Sequence, residues 1–352
     1  MNSILPVLQS AALSRASDIF LSAGKKPYIR VRGVIRPAGK GGPITAESID
    51  AFRKTVIGDR GEPVYAATGS FDASWRLPDG GRIRVNFFQT IGGPSAAIRP
   101  ILSGDDMDVA KLNLPPLLDK LGEAPRGLIL IAGTTGSGKS TTLAAMINHI
   151  NRVMQKHVLT LEDPIEFVYS DRKSVISQRE IDTANQGGFS GALRSALREN
   201  PDVIVIGEMR DTETISAALT AAETGHLVFA TIHTNSAPQT VDRIVDSFPM
   251  YQQNQIRLQL AGVLLAVISQ RLIPTLDGDS RLAAFEIMIG TPPVKALIRE
   301  GKTHQLQTVI ETSQKDGMCT LDRSLSDLAA DGLISPDEVR RFTADYKQID
   351  SH

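Results

Sequence analysis

Three things are scarce in this chain of 352 residues, and each scarcity excludes something. It has a single cysteine, Cys319, so no intramolecular disulfide can form and no second cysteine can join it in a zinc site. That usage fits the reduced interior of a cell. Net charge is nearly absent: 38 Lys and Arg face 39 Asp and Glu, which leaves no broad pull toward a polyanion and argues against sequence-blind binding of nucleic acid. Long apolar runs are missing as well. Residues 1–18 show no basic stretch leading into an apolar one, and the longest apolar-rich segment, Leu258 to Ile268, is too short to cross a bilayer. The expectation is a chain without signal peptide or transmembrane helix, which meets a membrane only through partners.

What is present suffices for roughly two domains of about 150 residues each. The first hundred residues read as an α+β module. Ile19 to Ser22 and Tyr28 to Gly33 look like strands, and Thr45 to Ile57 carries a helical pattern opened by a capping Thr45. Phe71, Ala73, Trp75 and Leu77 alternate with polar or small residues before a turn at residues 78–81, and Arg82 to Gln89 returns as the second strand of a hairpin. Its Ile83, Val85 and Phe87 share one face, so Arg82, Arg84 and Asn86 project from the other. Prolines at 115, 116 and 125 and a short acidic run at Asp105, Asp106 and Asp108 mark the junction between domains.

Beyond the junction, apolar runs alternate with helical stripes. Gly127 to Ala132, Val158 to Leu161, Val203 to Ile206 and Leu227 to Ala230 are unalternated, as strands covered on both faces should be. Leu143, Met146, Ile147, Ile150 and Val153 form one helical stripe; Leu193, Ala196 and Leu197 form another; Ile256, Leu260, Val263, Leu264 and Val267 form a third. The pattern predicts an α/β fold with a parallel sheet. The tail after Gly290 reads as helical, with a capping box at Ser335, Pro336, Asp337 and Glu338.

The chemistry concentrates in this second part. Gly133-Thr134-Thr135-Gly136-Ser137-Gly138-Lys139-Ser140, followed by Thr141, matches the phosphate-loop pattern and sits between a strand pattern and an amphipathic helix. Glycines let backbone N–H groups curl around phosphate oxygens at a helix N-terminus, Lys139 brings a point charge to the β/γ phosphates, and Ser140 offers a hydroxyl to magnesium. Glu208 follows the apolar strand Val203 to Ile206, where a carboxylate can polarise attacking water or hold magnesium through water. Glu162, Asp163 and Glu166 lie just past another strand, where they can bind a hydrated Mg2+ and position water. His226 and His233 bracket a fourth strand, and His233, at its C-terminal end, is placed to sense a γ-phosphate. Arg84 and Arg99 belong to the first module and serve as arginine fingers only if the modules close over a nucleotide.

Taken together, these blocks resemble the PilT family of type IV pilus retraction ATPases, within the secretion ATPase superfamily. Four blocks stand in family order: the phosphate loop; Leu161 to Phe167, similar to the Asp box; Gly207 to Asp211, similar to the Walker B region; and Thr224 to Phe229 with Thr231 to Thr234, similar to the His box. Ser269 to Pro274, Leu297 to Leu306 and Gln314 to Met318 also follow the family pattern. Departures are Thr134 where the family usually has proline, the absence of a basic pair in residues 89–92, and Val294, Lys295 and Ala296 in the retraction-associated motif.

The resemblance implies a PAS-like domain at 1–104, a linker at 105–126, a RecA-like P-loop ATPase domain at 127–290 and a helical region at 291–352. It implies ATP and Mg2+ as ligands, with Lys139, Ser140, Glu162 and Glu208 acting on them, Glu208 polarising water and His233 linking nucleotide state to neighbouring subunits. Arg84 and Arg99 align with arginines that approach the phosphates. It further implies a cytoplasmic homohexamer docked beneath the inner membrane on a pilus platform protein, with a second retraction ATPase as a possible companion. The activity implied is hydrolysis of ATP to ADP and phosphate, driving pilin back into the membrane. The alternatives are a related secretion, assembly or conjugation ATPase and a nucleotide-gated scaffold without turnover. Extension-type relatives carry a cysteine-rich zinc insertion, which a lone Cys319 cannot supply.

Overall fold

A computed structural model describes residues 4–349 apart from 15, 32, 40, 79, 80 and 182–186. The chain divides into two units, Met1–Leu102 and Ser103–His352.

In the first unit an antiparallel sheet runs in the order Val34–Pro37, Tyr28–Val31, Asp18–Ser22, Gly93–Ser103, Arg82–Thr90, Ser70–Arg76. The expected hairpin forms, with Arg76 opposite Arg82 and Ser70 opposite Phe88; Asp79 and Gly80 of its turn lie outside the described residues. Alternation buries Ile83, Val85 and Phe87 and turns Arg82, Arg84 and Asn86 outward. The strand Gly93–Ser103 is not evident in the sequence, because Pro94 and Pro100 weaken a strand signal. Thr45 caps the helix Ala46–Thr68 by accepting the Ser48 N–H. That helix outruns its expected end at Ile57: Gly58 takes a non-helical conformation (φ 58°, ψ −171°) and the chain resumes the helix beyond it. Its Phe52 is fully buried, edge-on to Trp75 and Phe87 with ring centroids 5.7 and 5.5 Å away.

The second unit is built on a seven-stranded sheet in the order Val175–Glu180, His157–Glu162, Val203–Ile206, Leu227–Ile232, Gly127–Ala132, Leu264–Pro274, Arg281–Ile289. All neighbours are parallel except the last pair. The unalternated apolar strands follow from a core on each face. Leu128, Leu130 and Ala132 enter one cluster and Ile129 and Ile131 the other; Ile204 and Ile206 split from Val203 and Val205 in the same way. Residues 103–126 pack on the helix Lys139–Val153: Val109, Leu114 and Leu118 share a core with Met146, Ile147 and Ile150, and Asn148 donates to the Asp105 carbonyl at 3.1 Å.

Two expectations about helices are corrected. Leu264 and Val267 do not continue a helical stripe, because the helix Met250–Val263 ends where the strand Leu264–Pro274 begins. An apolar run fits either periodicity, and pairing with Gly127–Ala132 and Arg281–Ile289 selects the strand. Val153 is exposed at the last turn of its helix rather than buried with Ile150. The tail is helical as expected, and Ser335 accepts the Glu338 N–H at 3.3 Å at the start of Pro336–Ile349.

Candidate functional site

Four neighbouring strands of the second sheet, His157–Glu162, Val203–Ile206, Leu227–Ile232 and Gly127–Ala132, run parallel and therefore deliver their C-terminal ends to one edge. That edge carries Glu162, Glu208, His233 and the phosphate loop in turn. Ligands of open α/β sheets bind at such an edge. A cavity of about 500 Å³ opens there, lined among others by Thr135, Gly136, Lys139, Ser140, Glu162, Asp163, Glu208 and His233. Residues separated by nearly a hundred positions in the chain thus meet because the sheet is parallel.

The loop is shaped for an anion. Its helix, Lys139–Val153, begins at Gly138 in the left-handed region (φ 88°, ψ 13°) with no side-chain cap. The helices Thr212–Glu223 and Ala237–Asp246, by contrast, are capped by Asp211 and Ser236. The first N–H groups of the phosphate-loop helix are thus left for a ligand. Lys139 Nζ donates to the carbonyls of Gly133 (2.7 Å) and Thr134 (3.0 Å), curling the loop around the ammonium. Ser137 Oγ is buried with no hydrogen-bond partner among the described residues, packed under the loop against Gly133 and away from the cavity lining. Ser140 and Thr141 are half-buried on the first helical turn.

Glu208 is held at both oxygens, by Arg210 Nη2 at 2.6 Å and by His233 Nε2 at 3.2 Å. The turn beneath it is fixed by backbone bonds from Gly207 N to Leu161 O (2.7 Å) and Met209 N to Thr231 O (3.0 Å), and by the Thr231 hydroxyl on the Gly207 carbonyl. Burial pushes the Glu208 carboxyl up, but the Arg210 hydrogen bond and the charges of His233, Arg210 and Lys139 outweigh it and hold the group below its ordinary range. Glu162 behaves oppositely. Burial raises it, although Thr160 Oγ1 at 2.6 Å and Gln178 Nε2 at 3.2 Å donate to its carboxylate. Burial lowers Lys139, with Glu208 and Glu166 pulling it back.

Asp163 lines the cavity and is exposed. Among the described residues no cluster of three or more His, Cys, Asp or Glu is arranged to hold a metal alone. The donor set of one hydroxyl and nearby carboxylates fits magnesium, which keeps several waters and shares substrate phosphates. His226 sits at the far end of its strand, where its Nδ1 lies 3.0 Å from the Ala221 carbonyl, a structural role closing the preceding helix. Arg84 and Arg99 face each other across paired strands of the first unit; Arg84 lies 4.0 Å from Asp72, and Arg99 binds Asp18 at 2.9 Å.

The sequence did not flag several side chains that shape this site. Thr231 and Gln178 act through hydrogen bonds made across strands, and Thr160 through one to Glu162 two residues on in its own strand. Arg210 stands beside Glu208 in the sequence, so its pairing was within reach. Gln270 lies in the polar step Ser269-Gln270-Arg271 that interrupts an apolar stretch.

A family model described as Type II/IV secretion system protein matches residues 1–321. The twitching motility protein of Neisseria gonorrhoeae is 47% identical over 339 residues, covering 96% of this chain and 90% of that protein. The type IV pilus retraction ATPase PilT of Pseudomonas aeruginosa is 46% identical over 339 residues, covering 96% and 97%. A crystal structure of the pilus retraction motor PilT with bound ADP superposes with a TM-score of 0.86 at 40% identity, covering 96% of each chain. With a family model spanning most of its length and relatives this similar along nearly all of it, the chain belongs to the type II/IV secretion system protein family, in its PilT branch.

Proposed function

We propose that this protein is an ATP-hydrolysing motor that drives type IV pilus retraction, and with it twitching motility. The observation that carries the reading is the convergence of the phosphate loop, Glu208 and His233 on one sheet edge. The likeness to a retraction ATPase and to an ADP-bound retraction motor supports it.

In this reading the Gly133–Thr141 loop and the helix N-terminus bind the phosphates of ATP, with Lys139 on the β/γ oxygens. The Ser140 hydroxyl would hold Mg2+, with Glu162, Asp163 and Glu208 acting through water; the ion neutralises charge on the phosphates. Glu208 orients and polarises the attacking water, from which its oxygens can accept while paired to Arg210 and His233, since each has a second lone pair. Because His233 touches Glu208 directly, loss of the terminal phosphate reaches His233 through the carboxylate. Arg84 and Arg99 act as fingers once released from Asp72 and Asp18.

The domain reading assigns 1–104 to a PAS-like module, 105–126 to a connecting segment, 127–290 to the RecA-like ATPase and 291–352 to the helical region. The working unit is a cytoplasmic homohexamer on the inner-membrane pilus platform, alone or with a second retraction ATPase. Among the described residues no helix is long and apolar enough to cross a membrane, which is compatible with attachment through partners.

Phosphate release from purified protein with ATP and Mg2+ tests the chemistry. Lys139→Ala and Glu208→Ala should each abolish turnover, and sustained turnover in either overturns the role given to that residue. A deletion strain should accumulate surface pili; a strain without pili points instead to an assembly motor.

A further inference from the structure

The strand Leu264–Pro274 passes beside the phosphate loop, and Gln270 on it is 2% exposed. Both ends of its carboxamide are used. Nε2 donates to the Ser137 carbonyl at 2.8 Å, and Oε1 accepts from the Thr142 hydroxyl at 2.7 Å. One planar group therefore ties the tip of the loop to the first turn of the helix that follows. The next residue back, Ser269, is also buried and donates to the Asn235 carbonyl at 2.9 Å, two residues past His233. Gln270 also fills the space a side chain would need at Gly138: a Cβ built there would lie 2.7 Å from Gln270 Nε2.

We propose that Gln270 is a positioning residue that clamps the phosphate loop from beneath, setting nucleotide affinity through Ser137 and Thr142 without touching the nucleotide. The group must be a donor on one side and an acceptor on the other, which among side chains of this length a carboxamide supplies and a carboxylate does not. A buried polar pair of this kind is costly when half satisfied, so its loss moves the loop rather than leaving the Ser137 carbonyl unpaired. The inference rests on the nucleotide-binding reading above.

The test titrates a fluorescent ADP analogue into wild type, Gln270→Ala, Gln270→Glu, Thr142→Val and the Gln270→Ala/Thr142→Val double variant, with thermal unfolding of each. Gln270→Ala should weaken binding about five- to ten-fold, the scale of a lost buried hydrogen bond. Thr142→Val should weaken it less, and the double variant should match Gln270→Ala, because both changes cut one network. Gln270→Glu keeps the size but turns an oxygen toward the Ser137 carbonyl. A protonated carboxyl restores the donor, so its affinity relative to wild type should fall steadily between about pH 6 and about pH 8.5, as burial raises the carboxyl. A merely structural residue would move the unfolding temperature without that pH-dependent ratio. Wild type that fails to bind overturns the nucleotide reading itself. Wild type that binds, with single variants within about two-fold of it and a flat pH ratio, overturns the role of Gln270. Should the Gln270 variants not fold, Thr142→Val decides, and wild-type affinity there overturns the clamp.

Discussion

Replacing Gly138 by alanine separates two costs that the phosphate loop imposes on its glycines. The first is conformational: at φ 88° and ψ 13° an alanine pays about 1–2 kcal/mol for the left-handed backbone. The second is collision. The new Cβ would stand 2.7 Å from Gln270 Nε2, so the carboxamide must withdraw from the Ser137 carbonyl it binds at 2.8 Å. That lost bond is worth about 1 kcal/mol, which brings the total to about 2–3 kcal/mol, or roughly 30- to 150-fold in an equilibrium constant. Gly136 supplies the comparison. Its φ is 80°, yet nothing lies within 4 Å of a Cβ built there. Gly136→Ala should therefore show the conformational cost alone. Urea unfolding and fluorescent-ADP titration of both variants give the two numbers, summed over stability and affinity. Gly138→Ala should exceed Gly136→Ala by about 1 kcal/mol. Equal effects refute the collision, and wild-type behaviour in both refutes the left-handed geometry of the loop.

Three further expectations concern stability. Asp211 caps the helix Thr212–Glu223 through the Thr214 N–H at 2.8 Å and the Thr214 hydroxyl at 2.9 Å, so Asp211→Ala should lower unfolding free energy by about 1–2 kcal/mol. An unchanged urea midpoint removes the cap. Phe52→Ala should cost about 3–5 kcal/mol, because the ring is fully buried against Trp75 and Phe87; a loss below about 1 kcal/mol would mean that this core does not form as described. Asp108 gives a pH signature. Burial raises its carboxyl, but the Lys111 and Ala110 N–H groups and the Arg152 guanidinium outweigh this and hold it below the ordinary value of 3.8. A depressed carboxylate stabilises the fold above that ordinary value, and the gain disappears as pH falls through the lower folded value. The stability gap between wild type and Asp108→Asn should accordingly close below about pH 3.8, and a gap that stays constant from neutral to acid pH contradicts the assignment.

Much of the site was legible from local pattern. The phosphate loop announces itself because backbone curvature, a point charge and a hydroxyl must occur within one short segment. Glu208 and His233 are marked by the strands that end just before them, since a parallel sheet sends every such end to one edge. The first module's arginines were also placed correctly on the outward face, a consequence of strict alternation from Arg82 through Phe87. The switch from helix to strand at Leu264 was hidden, because a short apolar run has the same composition in either state and only neighbours on both sides choose between them.

The amino-acid order by itself fixed the anion-binding loop, the strand-tip carboxylate and the outward arginines, because each depends on spacing within a few residues. Tertiary structure alone decided that His233 would meet Glu208, that Glu162 would be pushed up while Glu208 was held down, and that Gln270 would brace the loop. Those outcomes turn on burial and on hydrogen bonds made across the sheet, quantities that no segment possesses until its distant neighbours have packed against it.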